Sequence, residues 1–202
     1  LRAFLAELKE EFTIDDLLEK VEALKTLKVL VVGDAIIDEY QFTEPMGQSG
    51  KGLHMVARCG YKEQYLGGSL IIANHIAQFS DHVTLLTSIG EKCSHLPLIE
   101  SLINSKIEKE FITQPKHSTL TKKRYVMQDG ARLSKLFETY STNDSLLTKS
   151  ETDQVITYLK EKTKDFDLIL VCDFGNGFTN PVIVDALSDL PNFLAINTQT
   201  NS

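Results

Sequence analysis

The chain has 202 residues, of which 42% are hydrophobic and 24% charged, as in an ordinary soluble globular domain. Its net charge of -7 argues against a nucleic-acid partner, and no apolar run approaches the roughly 20 residues of a membrane helix. The three cysteines are widely spaced without a C-x-x-C pair, so we expect reduced thiols in a cytoplasmic protein and neither a zinc site nor a redox pair.

The first 27 residues are predicted to be helical and to precede the fold proper. Leucines recur at helical spacing, and Thr13 followed by Asp16 resembles a capping box that opens a second helix. The chain begins with Leu1 rather than Met, which is typical of a processed or excised fragment. We interpret residues 1–27 as a linker or docking segment.

The pattern changes at Lys28, where short apolar runs begin to alternate with helical segments. The predicted strands are 28–32, 83–87, 168–172 and 193–196, and the predicted helices are 69–79, 96–105, 150–162 and 181–187. Valine-rich runs are typical of strands that are buried on both faces. Strands that alternate with helices predict βαβ units and a mostly parallel sheet, with residues 28–202 forming one domain.

Two segments interrupt this alternation. Residues 37–66 contain aromatic residues and glycines without a helical pattern, and we interpret them as antiparallel strands that leave the sheet edge. Residues 119–138 are predicted to form a hairpin with Asp129-Gly130 as its tight turn.

Two carboxylates follow the first predicted strand, in the sequence Gly33-Asp34-Ala-Ile-Ile-Asp38. Ligands of open parallel sheets bind beyond the carboxyl ends of the strands, and ionised carboxylates accept the hydrogen bonds that sugar hydroxyls donate. The alternative is structural, with Asp34 capping a turn and Asp38 solvated. A dinucleotide site is not predicted, because Gly33 stands alone without the G-x-G-x-x-G spacing.

Two further motifs have the chemistry of an anion site. Gly67 and Gly68 open a predicted helix, where they either let backbone N–H groups approach a ligand or form only a turn. Lys122 and Arg124 alternate along the hairpin, so we expect them to share a face. Together they could hold a phosphate, and the alternative is a solvated charged face.

A third acidic motif, Asp173-Phe174-Gly175-Asn176-Gly177, follows the predicted strand at 168–172. Its glycines suit close approach to a ligand, or they form a strained turn alone. The histidines show no metal-ligand spacing and the serines no G-x-S-x-G elbow, so no metal site is predicted.

In this order along the chain, the motifs resemble the ribokinase/PfkB family of carbohydrate kinases, and in particular the heptose-7-phosphate kinase domain of bifunctional ADP-heptose synthases. The segments that carry the resemblance are Lys28–Tyr40, Leu66–Ser69, Val83–Gly90, Thr121–Arg124 and Asp173–Gly177. The resemblance implies an α/β, ribokinase-like three-layer fold with a mostly parallel sheet and a β-lid at about residues 39–66. It also implies a homodimer formed through that lid.

The resemblance assigns roles to these residues. Asp38 would bind sugar hydroxyls with Asp34, Gly67 and Gly68 beside it. Lys122 and Arg124 would lie near the substrate or its phosphate. The edge of the active site would be formed by Asp173, Gly175, Asn176 and Asn197.

Three positions depart from the family pattern: Ile71 replaces an asparagine, Asn176 a lysine and Asn197 an acid. The G-A-G-D motif with the catalytic aspartate would lie beyond Ser202. We therefore expect a fold truncated before the nucleotide-binding half, no catalytic residue in this chain and no kinase activity from it alone. ATP and Mg are implied for a longer parent protein, in which a nucleotidyltransferase domain could precede residue 1.

Three functional hypotheses follow. The first is the sugar-binding part of an ATP-dependent sugar or sugar-phosphate kinase. The second is a non-catalytic module that senses a sugar phosphate, which the three departures motivate. The third is an unrelated α/β nucleotide binder, which would bind nucleotides but no sugar phosphate.

Overall fold

The computed structural model describes residues 2–92, 94–129, 132–141 and 147–199. Within these residues, the helices are α1 Arg2–Glu11, α2 Ile14–Ala23, α3 Gly68–Ile76, α4 Leu96–Leu102, α5 Lys149–Lys162 and α6 Pro181–Ser188. The strands are β1 Lys28–Gly33, β2 Ala35–Gln48, β3 Met55–Gly67, β4 His82–Gly90, β5 Glu108–Gln114, β6 Leu120–Asp129, β7 Arg132–Ser141, β8 Leu168–Asp173 and β9 Phe193–Thr198. Short 3-10 turns follow α2 and α5.

The N-terminal residues form two helices, as predicted. The capping box at the start of α2 is present: the Thr13 hydroxyl accepts from the Asp16 N–H at 3.1 Å, and the Thr13 N–H donates to the Asp16 carboxylate at 2.8 Å. The apolar side chains of α2 are exposed, by 76% at Ile14 and 57% at Leu18. Helix α2 therefore contributes no buried residue to the core.

The predicted parallel sheet has five strands in the order β5-β4-β1-β8-β9, and every neighbouring pair is parallel. Helices α3 and α4 cover one face and helices α5 and α6 the other. Alternate residues of β1 serve the two faces: Val29 and Val31 pack towards α3, whereas Leu30 and Val32 pack towards α5. The three-layer arrangement explains why the strand reads as an uninterrupted apolar run.

A second sheet continues from the carboxyl end of β1, and we call it the lid. Its strand order is β3-β2-β6-β7, with β2 antiparallel to β3, β2 parallel to β6, and β6 antiparallel to β7. The strands predicted at 37–66 form one half of the lid, and the hairpin predicted at 119–138 forms the other. Asp129 pairs with Arg132, and the predicted turn residue Gly130 lies outside the described residues.

Strand β5 was not predicted from the sequence. It lies at the edge of the parallel sheet and pairs along β4 from Glu108 to Gln114. Only Ile112 and Gln114 of this strand are buried, so its sequence lacks the apolar run of the inner strands. Its position depends on backbone hydrogen bonds to β4, and a hydrophobic pattern in the sequence does not indicate such bonds.

The described helices include none that is long and apolar enough to cross a membrane.

Candidate functional site

Asp34 lies directly after β1, where the chain leaves the parallel sheet. Its buried carboxylate accepts hydrogen bonds from the N–H groups of Phe174 (2.9 Å), Asn176 (3.4 Å) and Phe178 (3.1 Å). Burial raises the pKa of Asp34 above its ordinary value, and the three backbone hydrogen bonds offset part of that rise. Asp34 therefore caps the loop that follows β8.

Asp38 lies on β2, four residues further on, and has a different environment. Its side chain is 25% exposed and forms an ion pair with the Arg124 guanidinium. A Cβ atom added to Gly67 would overlap the Asp38 carboxylate, so the glycine leaves the space that this carboxylate occupies. Asp38 is therefore an accessible acceptor, held in place by a cation from a distant part of the sequence.

The Gly67-Gly68 pair forms the start of α3, as the sequence predicts. Gly68 has φ +58, and a Cβ atom there would overlap the backbone oxygen of Asp34. The next residue, Ser69, donates its N–H to that same oxygen at 2.8 Å. These contacts bring the start of α3 against the acidic turn after β1.

The basic residues of β6 lie beside β2 in parallel register. Asp38 pairs with Lys122 and Tyr40 pairs with Arg124, so these four side chains share one face of the lid. The Arg124 guanidinium lies 5.2 Å from the Tyr40 ring centre, and the Lys122 ammonium lies 5.4 Å from the Tyr140 ring centre. The expectation that Lys122 and Arg124 share a face is confirmed.

Glu138 of β7 completes this face, and no motif in the sequence indicates it. One carboxylate oxygen lies 3.6 Å from Arg124 Nε and also pairs with Lys135, and the other accepts from the Tyr140 hydroxyl at 2.6 Å. Hydrogen bonds from Lys135 and Tyr140 hold the pKa of Glu138 below its usual range. Glu138 pairs with Arg124 in the β6–β7 ladder, a register that could be read only from a correctly placed hairpin turn.

A β-bulge explains how Lys135 reaches Glu138. Tyr125 pairs with Phe137, whereas the next residue, Val126, pairs with Lys135, so Leu136 has no partner across the ladder. The extra residue turns Lys135 to the Glu138 face.

The opposite face of the lid has its own charged cluster, centred on Glu39. The buried Glu39 carboxylate contacts Lys62 at 3.2 Å, Lys123 at 2.9 Å and the Gln64 amide at 2.8 Å. Burial alone would raise the pKa of Glu39, but Lys123 and Lys62 outweigh it and hold the pKa below its usual value. This cluster is separated from Asp38 by the thickness of the sheet.

The residues predicted at the active-site edge lie in the loop after β8 and on β9. The Asp173 carboxylate accepts from the Gly175 N–H at 2.9 Å, and the Asn176 side-chain amide donates to the Phe174 carbonyl at 2.9 Å. Asn197 is exposed on β9. Asp34 contacts this loop directly, whereas Asp38 contacts Arg124 of the lid, so the predicted site residues fall into two neighbouring groups.

The chain is similar in sequence to a curated bifunctional protein, although no protein-family model matches it. It is 30% identical over 161 residues to the bifunctional protein HldE of Pasteurella multocida, and the alignment covers 78% of this chain and 32% of that protein. The chain thus spans about a third of the length of the curated relatives it matches.

The fold is shared with solved sugar kinases. Phosphofructokinase-2 from Escherichia coli in complex with fructose-6-phosphate has a TM-score of 0.60 and 11% identity, over 87% of this chain and 56% of that one. The tetrameric inhibited form of phosphofructokinase-2 from the same organism has a TM-score of 0.58 and 11% identity, over 86% and 55%. At 11% identity, the similarity to these two structures shows only that the fold is shared. The alignment with HldE shows that the sequence is related as well. Taken together, they confirm, in sequence and in fold, the resemblance of this chain to the ribokinase/PfkB family of carbohydrate kinases.

Proposed function

We propose that this chain forms the sugar-binding part of an ATP-dependent kinase that phosphorylates a hydroxyl of a sugar or sugar phosphate, with a heptose 7-phosphate as the candidate substrate. The observation that carries the proposal is the position of Asp38 beside Lys122 and Arg124 on one face of the lid. A carboxylate accepts hydrogen bonds from sugar hydroxyls, and two cations can bind a phosphate. The sequence relationship to HldE supports the same class of substrate.

In the proposed complex, the Asp38 carboxylate, which occupies the space beside Gly67, accepts hydrogen bonds from sugar hydroxyls, and Gly68 lies next to it. Lys122 and Arg124 bind the phosphate of the substrate. Asp34 does not bind the sugar directly, because its carboxylate accepts hydrogen bonds from the loop after β8. Asp173, Gly175, Asn176 and Asn197 would line the far edge of the site.

ATP and Mg belong to the proposed activity of the parent protein. Within the described residues, no three His, Cys, Asp or Glu side chains come together as ligands for a metal ion. We assign neither ATP nor Mg to a residue of this chain, and we assign no catalytic residue to it.

A second candidate function is a sugar-phosphate sensor derived from such a kinase. The Asn176 side chain, at the position of the family's lysine, is bonded to the Phe174 carbonyl within its own loop. An amide held in this way cannot provide the positive charge of a lysine. A G-A-G-D motif in the parent protein after Ser202 would favour the kinase, and a substituted aspartate would favour the sensor.

The Asp38→Ala variant tests the site. We expect calorimetry to show that the 202-residue chain binds heptose 7-phosphate and that Asp38→Ala lowers the affinity by at least about 100-fold, the loss expected when hydrogen bonds to a charged group are removed. The circular dichroism spectrum should be unchanged. Glu44→Ala is the matched control, because Glu44 is an exposed acid on the same strand whose partner, Arg58, is equally exposed. Equal affinities for Asp38→Ala and the wild type would exclude this site.

A further inference from the structure

We infer that Glu138 is a positioning residue that keeps both cations of the proposed phosphate site in place and prevents Arg124 from pairing solely with Asp38. The inference rests on the proposed function and deepens it. Glu138 is 18% exposed, and it contacts Arg124 directly and Tyr140 through a hydrogen bond. The aromatic ring of Tyr140 in turn lies under the Lys122 ammonium.

The Arg124 guanidinium lies between two carboxylates. It forms an ion pair with Asp38 on one side and lies 3.6 Å from Glu138 on the other, and its side chain is only 18% exposed. If Asp38 were its sole counter-ion, a sugar that engaged Asp38 would leave a half-buried guanidinium without a partner, which is costly. Glu138 provides a second counter-ion, so that Asp38 can turn to a hydroxyl.

Lys122 is held through Tyr140. The Tyr140 hydroxyl donates to Glu138 at 2.6 Å, which fixes the aromatic ring that the Lys122 ammonium approaches to 5.4 Å. A lysine that stacks on a fixed ring loses less conformational freedom when it binds a phosphate. Glu138 thus acts on Lys122 without touching it.

The charges of this face favour an anion even though two of the side chains are acidic. Lys135 forms an ion pair with Glu138, so three cations accompany the two carboxylates Asp38 and Glu138, which leaves one net positive charge. Without Lys135, the added carboxylate would cancel the attraction for a phosphate. The bulge at Leu136, which turns Lys135 to this face, is therefore part of the same arrangement.

The test is a double-mutant cycle on the 202-residue chain, with heptose 7-phosphate as the probe in calorimetry. We expect Glu138→Gln to weaken binding about tenfold, as for one charge-assisted contact, with an unchanged melting temperature. Arg124→Ala should weaken binding more strongly, and in that background Glu138→Gln should add only about threefold instead of tenfold, because its effect on Arg124 is gone and only its effect on Lys122 through Tyr140 remains. Glu39→Gln is the matched control, since Glu39 also holds two cations but on the opposite face, and it should bind as the wild type does.

Each other outcome overturns the inference. Wild-type affinity in Glu138→Gln would show that Glu138 does not position the cations, and the same tenfold loss in the Arg124→Ala background would show that it acts independently of Arg124. A tenfold loss in Glu39→Gln would show a general effect of lid charge. These outcomes leave the proposed function intact. A wild-type chain that binds no heptose 7-phosphate would contradict both the proposed function and the inference about Glu138.

Discussion

Asp34 is a buried carboxylate that accepts hydrogen bonds from three backbone N–H groups of one loop. Removing the side chain would leave those donors without their partner, and an unsatisfied buried donor such as the Phe178 N–H costs about 1–3 kcal/mol. The bonds join the end of β1 to the loop after β8, two elements more than 130 positions apart in the chain. Asp34 therefore stabilises the edge on which the proposed site is built.

We predict that Asp34→Ala lowers the free energy of unfolding by about 2–3 kcal/mol, measured by urea denaturation at pH 7. Glu44→Ala, which removes an exposed lid acid, should change it by less than about 0.5 kcal/mol. Equal stabilities for Asp34→Ala and the wild type would show that the loop does not need this cap.

The raised pKa of Asp34 predicts a pH dependence with a definite sign. Because burial raises the pKa in the folded state above the ordinary 3.8, the folded chain holds this proton more tightly than the unfolded chain does. The contribution of Asp34 to stability is then greatest below about pH 3.8 and falls as the pH rises through the folded-state pKa. The stability of the wild type relative to Asp34→Asn, which cannot ionise, should therefore decline with rising pH in that window. A difference that grows instead would show a lowered pKa.

The sequence predicted the position of Asp34 and Asp38 in the fold but not the contacts that each side chain makes. Two carboxylates that follow a buried strand must lie near the carboxyl edge of the sheet, so the pattern predicts the region of the proposed site. Their separate environments depend on Phe174 and Arg124, which are remote in sequence. Glu138 was missed for the same reason, since its contact with Arg124 exists only once β6 and β7 are in register.

At the scale of elements, the start of α3 connects the parallel sheet to the lid. Gly67 has an extended backbone with φ -131, which any residue can adopt, whereas Gly68 has φ +58, which favours glycine. A side chain at Gly67 would crowd the Asp38 carboxylate, and one at Gly68 would crowd the backbone oxygen of Asp34. Gly67 is thus needed for the space that the Asp38 carboxylate occupies, whereas Gly68 is needed for a left-handed backbone and for the space beside the Asp34 oxygen.

We predict that alanine at these two positions separates binding from stability. Gly67→Ala should weaken heptose 7-phosphate binding about tenfold by displacing Asp38, and it should lower the free energy of unfolding by less than about 1 kcal/mol. Gly68→Ala should lower the free energy of unfolding by about 2 kcal/mol or more, because it adds left-handed strain and an overlap. Calorimetry and urea denaturation of both variants measure the two effects. A loss of stability in Gly67→Ala together with a loss of binding in Gly68→Ala would contradict the geometry.

The elements differ in how far a sequence pattern defines them. The inner strands β1 and β8 are continuous apolar runs and were predicted to within a residue, whereas β4 extends to Gly90, three residues beyond its predicted end. The hairpin of β6 and β7 was predicted as a unit, but its parallel pairing with β2 was not, because Ile36 and Leu120 meet across 84 positions of chain. Such pairing is a property of the folded chain rather than of any local pattern.

At the scale of the whole molecule, the end of the lid presents apolar side chains to solvent. We call these residues the apolar tip: Met46, Leu53, Met55 and Val56, which are 61%, 98%, 58% and 37% exposed. Contiguous exposed apolar surface is typical of an interface. We propose that a homodimer forms through the lid and that the apolar tip lies in its contact.

The dimer can be tested by sedimentation velocity at tens of micromolar chain. We predict that the wild type sediments with about twice the monomer mass of 22.6 kDa and that Leu53→Asp sediments as a monomer, because a buried unpaired carboxylate costs several kcal/mol. Leu18→Asp on α2 is the control, since Leu18 is also an exposed leucine, at 57%, and lies away from the lid. If Leu18→Asp dissociates the dimer and Leu53→Asp does not, the contact is made by the N-terminal helices instead. A monomeric wild type at these concentrations would leave the apolar tip without a role in assembly.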